Sequence, residues 1–260
     1  MNRAPSILGL LIVLAGCSSR AKPGEIKVAA ASDLATTFPK VARAFEAKTG
    51  NHVTFSFGSS GNFAKQIAEG APFDLFASAN ATFVDDTTRA GACDAATKAL
   101  YARGRIVLWT KDGVAPARTP ADLADARFTK VAIANPRHAP YGKAAQQALE
   151  ATGAWAAVQP KLVFGENIQQ TLQFALSGNV EAAIVSLSLV KAQFADKEGK
   201  AWNLVDESLH QPLDQALVVC KHGKNAAIAR QFAAFVSSPD GRAILSRDGF
   251  TLPGQSTATH

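Results

Sequence analysis

The chain has 260 residues, 47% hydrophobic and 18% charged, a balance that supplies a packed core and excludes a disordered or coiled-coil protein. The formal net charge is +6, but acidic residues lie between the basic ones and no basic stripe is interleaved with aromatics, so nucleic-acid binding is not expected. Single cores stop growing near ~250 residues, so the length admits one large or two modest domains.

Arg3 precedes the apolar run from Ile7 to Leu14, which ends in small residues, the layout of an export signal. The run falls short of the ~20 apolar residues that span a bilayer. Leu14-Ala15-Gly16-Cys17 resembles the lipobox of bacterial lipoproteins. Residues 1–16 are therefore an expected signal peptide, Cys17 the expected lipidation site, and 17–24 a small, polar tether that holds the folded part near a membrane.

Glu25 to Ala31 reads as a strand, and Leu34, Phe38, Val41, Ala42 and Phe45 then recur at helical spacing up to Gly50, with Pro39 expected to kink that helix. His52 to Phe57 is β-rich; Asn62 to Glu69 is helical and stops at Gly70 and Pro72. A strand at Asp74 to Ser78, a helix near Thr82 to Ala90 and an apolar run from Arg105 to Trp109 follow. Then come strand Val131 to Ala134, helix Pro140 to Ala151, strand Leu162 to Phe164, helix Ile168 to Leu176 and strand Val180 to Val185. Such βαβ alternation predicts parallel sheets flanked by helices. Ala216 to Cys220 is a last strand, and helices at Asn225 to Val236 and Asp240 to Ser246 close the chain.

If the chain crosses into a second lobe near Gly104 and returns near Ala216, the two crossings form a hinge. The expected organisation is lobe I from 25–103 plus 216–260 and lobe II from 104–215, an α/β two-lobed architecture. Cys93 and Cys220 remain once Cys17 is assigned to lipid; a disulfide and two separate buried thiols are both compatible with the sequence.

Three strand ends run into small, polar, helix-starting loops: Ala31-Ser32-Asp33, Phe57 to Asn62, and Phe164 to Ile168. Asn135-Pro136-Arg137-His138-Ala139-Pro140-Tyr141-Gly142 is a fourth. Ligands of open α/β sheets sit outside the carboxyl ends of the strands, so these loops should converge. Helix starts offer unpaired N–H groups and a partial positive charge, which together hold an anion without Lys or Arg. Ser32 and Ser60 would add hydroxyl donors, while Gly58 and Gly61 allow close backbone approach. Any one of these serines alone reads equally as an N-cap. Spacing by itself indicates a small polar or anionic ligand.

Val28-Ala29-Ala30-Ala31-Ser32, Phe57-Gly58-Ser59-Ser60 and the segment Gly70 to Ala79 resemble the periplasmic molybdate-binding proteins, and the resemblance covers essentially the whole mature chain. Asn135 to Gly142, Gly153-Ala154-Trp155, Gly165-Glu166-Asn167-Ile168, Ala183 to Ser186 and Asp248-Gly249-Phe250 extend it. The resemblance implies a type II periplasmic-binding fold that captures molybdate or tungstate between its lobes and delivers it to an ABC transporter permease. It implies Ser32 and Ser60 as donors from one lobe, and the backbone N–H groups of Tyr141 and Ile168 from the other. Many members carry a tyrosine where this chain has Ser186, so Ser186 or a water is expected to replace that donor. Tyr141 stands where some members have a small residue, and its hydroxyl could fold into the cleft.

Asp33 beside the site reads as a first-turn acid favoured by the helix dipole; the alternative is acceptance of a proton from hydrogen phosphate. Phosphate, sulfate or another small anion on the same scaffold is thus the competing cargo. A serine hydrolase is disfavoured because Gly58-Ser59-Ser60-Gly61 sets its glycines too close for a nucleophile elbow. The five histidines show no paired ligand spacing, and no bare metal ion or cofactor is expected. The chain is expected to act as a monomer and to catalyse nothing.

Overall fold

The first strand forms on an apolar run that only Lys27 interrupts. β1 (Glu25–Ala31) buries Ile26, Val28, Ala29 and Ala30 completely, as a central strand covered on both faces must. In the computed structural model of the protein the described residues are 23–194, 197–198 and 200–255. The expected signal peptide, Cys17 and most of the tether lie outside them.

A short 3-10 turn, Ser32–Leu34, separates β1 from α1 (Phe38–Thr49). Pro39 does not kink a longer helix; it sits in the first turn of α1, where its missing N–H costs nothing. β2 (His52–Gly58), α2 (Ser60–Ala68), β3 (Leu75–Ser78), α3 (Ala81–Arg89) and β4 (Ala99–Gly104) follow. The chain then enters a second sheet through β5 (Ile106–Thr110), β6 (Val131–Ala134), α4 (Pro140–Ala151), α5 (Trp155–Val158), β7 (Leu162–Gly165), α6 (Ile168–Leu176), β8 (Ala182–Ser186), α7 (Leu187–Phe194) and β9 (Trp202–Leu204). It returns with β10 (Leu213–Val219) and ends in α8 (Ala226–Val236) and α9 (Pro239–Arg247).

Two five-stranded sheets result, ordered β2-β1-β3-β10-β4 and β7-β6-β8-β5-β9. Each is mixed. In the first, β1 pairs in parallel with β2 and β3, while β10 runs antiparallel to β3 and β4. In the second, β6 pairs in parallel with β7 and β8, while β5 runs antiparallel to β8 and β9. The strands that cross between the sheets are thus the antiparallel ones, and the parallel trios carry their carboxyl ends toward the same region.

The terminal helices cover the first sheet. Phe232 on α8 meets Phe38 and Phe45 of α1 edge-on, with ring centroids 6.1 and 5.3 Å apart. Asp248, just past α9, accepts from Thr37 Oγ1 at 2.8 Å and Lys40 Nζ at 2.6 Å, which fixes α9 to the start of α1. No described helix is long and apolar enough to cross a membrane.

Cys93, after α3, and Cys220, at the end of β10, form a disulfide, which resolves the choice the sequence left open. It closes a chain segment 127 positions long that contains the whole second sheet. Replacing both cysteines by alanine should lower the unfolding free energy by about 2–4 kcal/mol. Guanidinium denaturation of the double variant measures this, and an unchanged midpoint would show that the bridge constrains nothing in the unfolded chain.

Candidate functional site

Strand-to-helix junctions from both sheets meet at one cavity of about 190 Å³, its mouth included. Ser32, Asp33, Ser59 and Ser60 line it from the first sheet; Tyr141, Asn167 and Ile168 line it from the second. No Lys, Arg or His contributes to its wall. Among the described residues no group of three or more His, Cys, Asp or Glu is placed to hold a metal ion.

The donors follow from local structure. Ser59 is the N-cap of α2 and Ser60 its first residue, so the Ser60 N–H lies among the amides that a helix cannot satisfy internally. Ser60 Oγ accepts from Ala79 N–H at 3.0 Å, which fixes the oxygen and leaves its hydrogen to donate elsewhere. Pro140 opens α4 and Tyr141 is next, again a residue whose N–H precedes the first intrahelical bond. Asn167 caps α6 by accepting from Gln170 N–H at 3.0 Å, and Ile168 is the first helical residue. Ser32 follows β1 directly and is 3% exposed. The arrangement offers donors from two sheets to a guest that only accepts.

Ser186 is not part of this wall. It ends β8 fully buried, and its Oγ lies 3.3 Å from Ser188 Oγ. The expectation that Ser186 or a water replaces a family tyrosine gains no support from the cavity lining, which does not include Ser186. The Tyr141 hydroxyl does not enter the cavity as a ligand donor either, because it donates to Asp33 Oδ2 at 2.9 Å. Sequence reading passed over Asn167 as a lining residue, although it stands inside the Gly-Glu-Asn-Ile landmark.

Asp33 is the carboxyl group in the wall, and its equilibrium is displaced. It is fully buried, and burial raises its carboxyl to about 6, against the opposing effect of bonds from Gln215 and Tyr141. Gln215 Nε2 donates to Oδ2 at 2.6 Å, and Tyr101 in turn donates to Gln215 Oε1 at 2.7 Å. Oδ1 has no partner. Both phenols, Tyr101 and Tyr141, are pushed well above their ordinary range by burial and by the nearby carboxylate. Gln215, a polar residue heading the apolar run of β10, was not singled out by pattern, because its role appears only once β4, β10 and α4 meet.

The two halves also touch at the cavity mouth. Ser59 Oγ donates to the His138 carbonyl at 2.5 Å, and Gly61 N–H donates to the same oxygen at 3.0 Å. With its one hydrogen spent there, Ser59 Oγ can only accept from His138 Nδ1, 3.0 Å away. His138 therefore cannot take a proton from Ser59. Glu166 lies 3.6 Å from His138 Nε2, so serine, histidine and acid are adjacent without forming a hydrolytic relay.

A Cβ at Gly61 would lie 2.7 Å from the His138 carbonyl oxygen, across the cleft. Gly61→Ala should leave each half folded and weaken anion capture by roughly tenfold or more, since a carbonyl must shift for the cleft to shut. Titration calorimetry beside a melting curve reads both effects; unchanged affinity would mean that this approach is not needed for binding.

Comparison with known proteins adds a second kind of evidence. The family model described as bacterial extracellular solute-binding protein matches residues 26–251. A molybdate-binding protein of Rhodobacter capsulatus is 34% identical over 92% of this chain and 93% of its own length. One of Azotobacter vinelandii is also 34% identical, over 92% of this chain and 94% of its own. The solved Azotobacter vinelandii periplasmic molybdate-binding protein superposes with a TM-score of 0.82 at 30% identity, covering 88% of this chain and 99% of that one.

Proposed function

The chain belongs to the bacterial extracellular solute-binding protein family, and on that premise we propose that it captures molybdate or tungstate and delivers it to an ABC importer. The observation that carries the reading is the cavity itself, to which Ser32, Ser60, Tyr141 and Ile168 all contribute and no cationic side chain does. A fully deprotonated tetrahedral dianion has only acceptors, so a cage of hydroxyls and backbone amides can replace its water shell. Sulfate is smaller at equal charge and would leave donors short of their partner. The relatives named for molybdate support the choice of cargo.

The mechanism is capture by closure, with no covalent step. Lobe I (25–103 and 216–260) carries Ser32 and Ser60; lobe II (104–215) carries the amides of Tyr141 and Ile168. The open form admits the anion, closure completes the cage, and the closed form docks on a membrane permease. Cys17 would carry the lipid that keeps this monomer at the cell envelope, with 17–24 as its tether.

One observation favours a second cargo. The unpartnered Oδ1 of buried Asp33 could accept the proton of hydrogen phosphate, which has a donor to offer. Thermal denaturation against an oxyanion panel separates the two readings. Molybdate or tungstate at about 1,000 times its dissociation constant should stabilise the chain by roughly 4 kcal/mol, with little shift from sulfate or phosphate. A shift from phosphate that equals or exceeds that from molybdate would reverse the assignment. Ser60→Ala should weaken the preferred anion by ~10–100-fold, the effect of one lost hydrogen bond to a charged group, as read by calorimetry.

A further inference from the structure

An oxyanion site with a carboxyl group in its wall poses a charge problem. Asp33 lines the cavity, is 0% exposed, and holds Oδ1 without a partner, while Oδ2 is occupied by Tyr141 and Gln215. Among the described residues no cationic side chain lines the cavity to offset it. The turn that bears Asp33 packs on β2, α6 and α7. α6 has no charged residue; Lys191 of α7 donates to the Arg247 carbonyl; His52 lies at the far end of β2. On β10 and β4, Asp214 pairs with Arg103 at 2.7 Å, and Tyr101 reaches Asp33 through Gln215. On α4 the facing group is the Tyr141 phenol. An ionised Asp33 enclosed with a dianion would place three negative charges among dipoles alone.

We propose that Asp33 takes up a proton from solvent as the site closes on its oxyanion, making it the residue that matches the charge of the cavity to a fully deprotonated guest. The inference rests on the molybdate or tungstate reading. The proton goes to Oδ1, the oxygen that no protein group occupies, and Oδ2 keeps both of its donors. A neutral carboxyl turns the wall's one carboxylate into a further O–H donor, which suits a guest that only accepts. Burial already raises this carboxyl to about 6, so the neutral form needs little additional bias. A dianion favours the protonated state, so its affinity is highest below the carboxyl's free value and falls as pH rises above it. A hydrogen oxyanion behaves oppositely: it brings its own proton, needs Oδ1 ionised, and binds with no net uptake.

The test is titration of the full-length protein with sodium molybdate at pH 7.5 in buffers of differing ionisation enthalpy. Uptake of about one proton per molybdate is expected, with affinity falling by up to about tenfold per pH unit above pH 7. Asp33→Asn should bind with no uptake and a flat pH profile, whereas His138→Gln, which removes the imidazole at the mouth, should keep the uptake. Molybdate binding by the wild-type protein with zero uptake overturns the inference and leaves the functional reading intact. The same follows if Asp33→Asn binds with uptake unchanged, or if His138→Gln abolishes it. The wild-type proton count decides even if Asp33→Asn does not fold. Absence of any heat with molybdate or tungstate overturns the functional reading, and this inference falls with it.

Discussion

Backbone amides at a helix start have no partner inside the helix, and whatever meets them must accept. Here such starts, on α2, α4 and α6 with the Ser32 turn beside them, are brought to one cavity. The mixed sheets are the means. Each parallel trio hands its strand ends to helices on the same side, and the antiparallel strands β5 and β10 carry the chain from one sheet to the other and back. A site built from amides is rigid in a way that lysine or arginine side chains are not, because the donors cannot move without moving whole helices. That rigidity is what allows size to discriminate among anions of equal charge.

Polar contacts bridge the cleft. Ser59 and Gly61 meet the His138 carbonyl at the mouth; Tyr141 meets Asp33 deeper, and Ser188 Oγ donates to the Asp33 carbonyl at 2.8 Å. Neutral hydrogen bonds of this kind each contribute about 1 kcal/mol net. Together they can hold a closed form without making it irreversible, which leaves the guest to supply the bias between open and closed. An apolar seam of the same area would close the cleft whether or not an anion was present.

Most of the site was legible because the chain announces it locally. Strand ends Ala31 and Gly58 run straight into Ser, and Gly165 reaches the capping Asn167 through Glu166, so a helical turn begins at each. Strand direction was not legible: β5 and β10 read as further members of a βαβ series, and only pairing shows them antiparallel. β4 and β9 were missed because they are an interrupted edge strand and a three-residue strand, too short for alternation to register. Ser186 stands outside the cavity lining for a different reason. A residue at a strand end can point at the ligand or behind it, and sequence position does not say which.

Tyr141 shows how far the site depends on the hinge. Its amide end belongs to the start of α4 at the cavity, while its hydroxyl reaches past the cavity to Asp33 and lies 3.2 Å from Gln215 Nε2. Gln215 belongs to β10, one of the two strands that bracket the crossing between sheets, and Gly104 ends β4, the other. A side chain at Gly104 would run into the Tyr141 phenol. The residue whose amide stands at the cavity is thus anchored by the two strands that bracket the crossing between the sheets. Under the proposed closure, rotation between the sheets would move Tyr141 relative to Asp33, so the donor set and the degree of closure would be one variable rather than two.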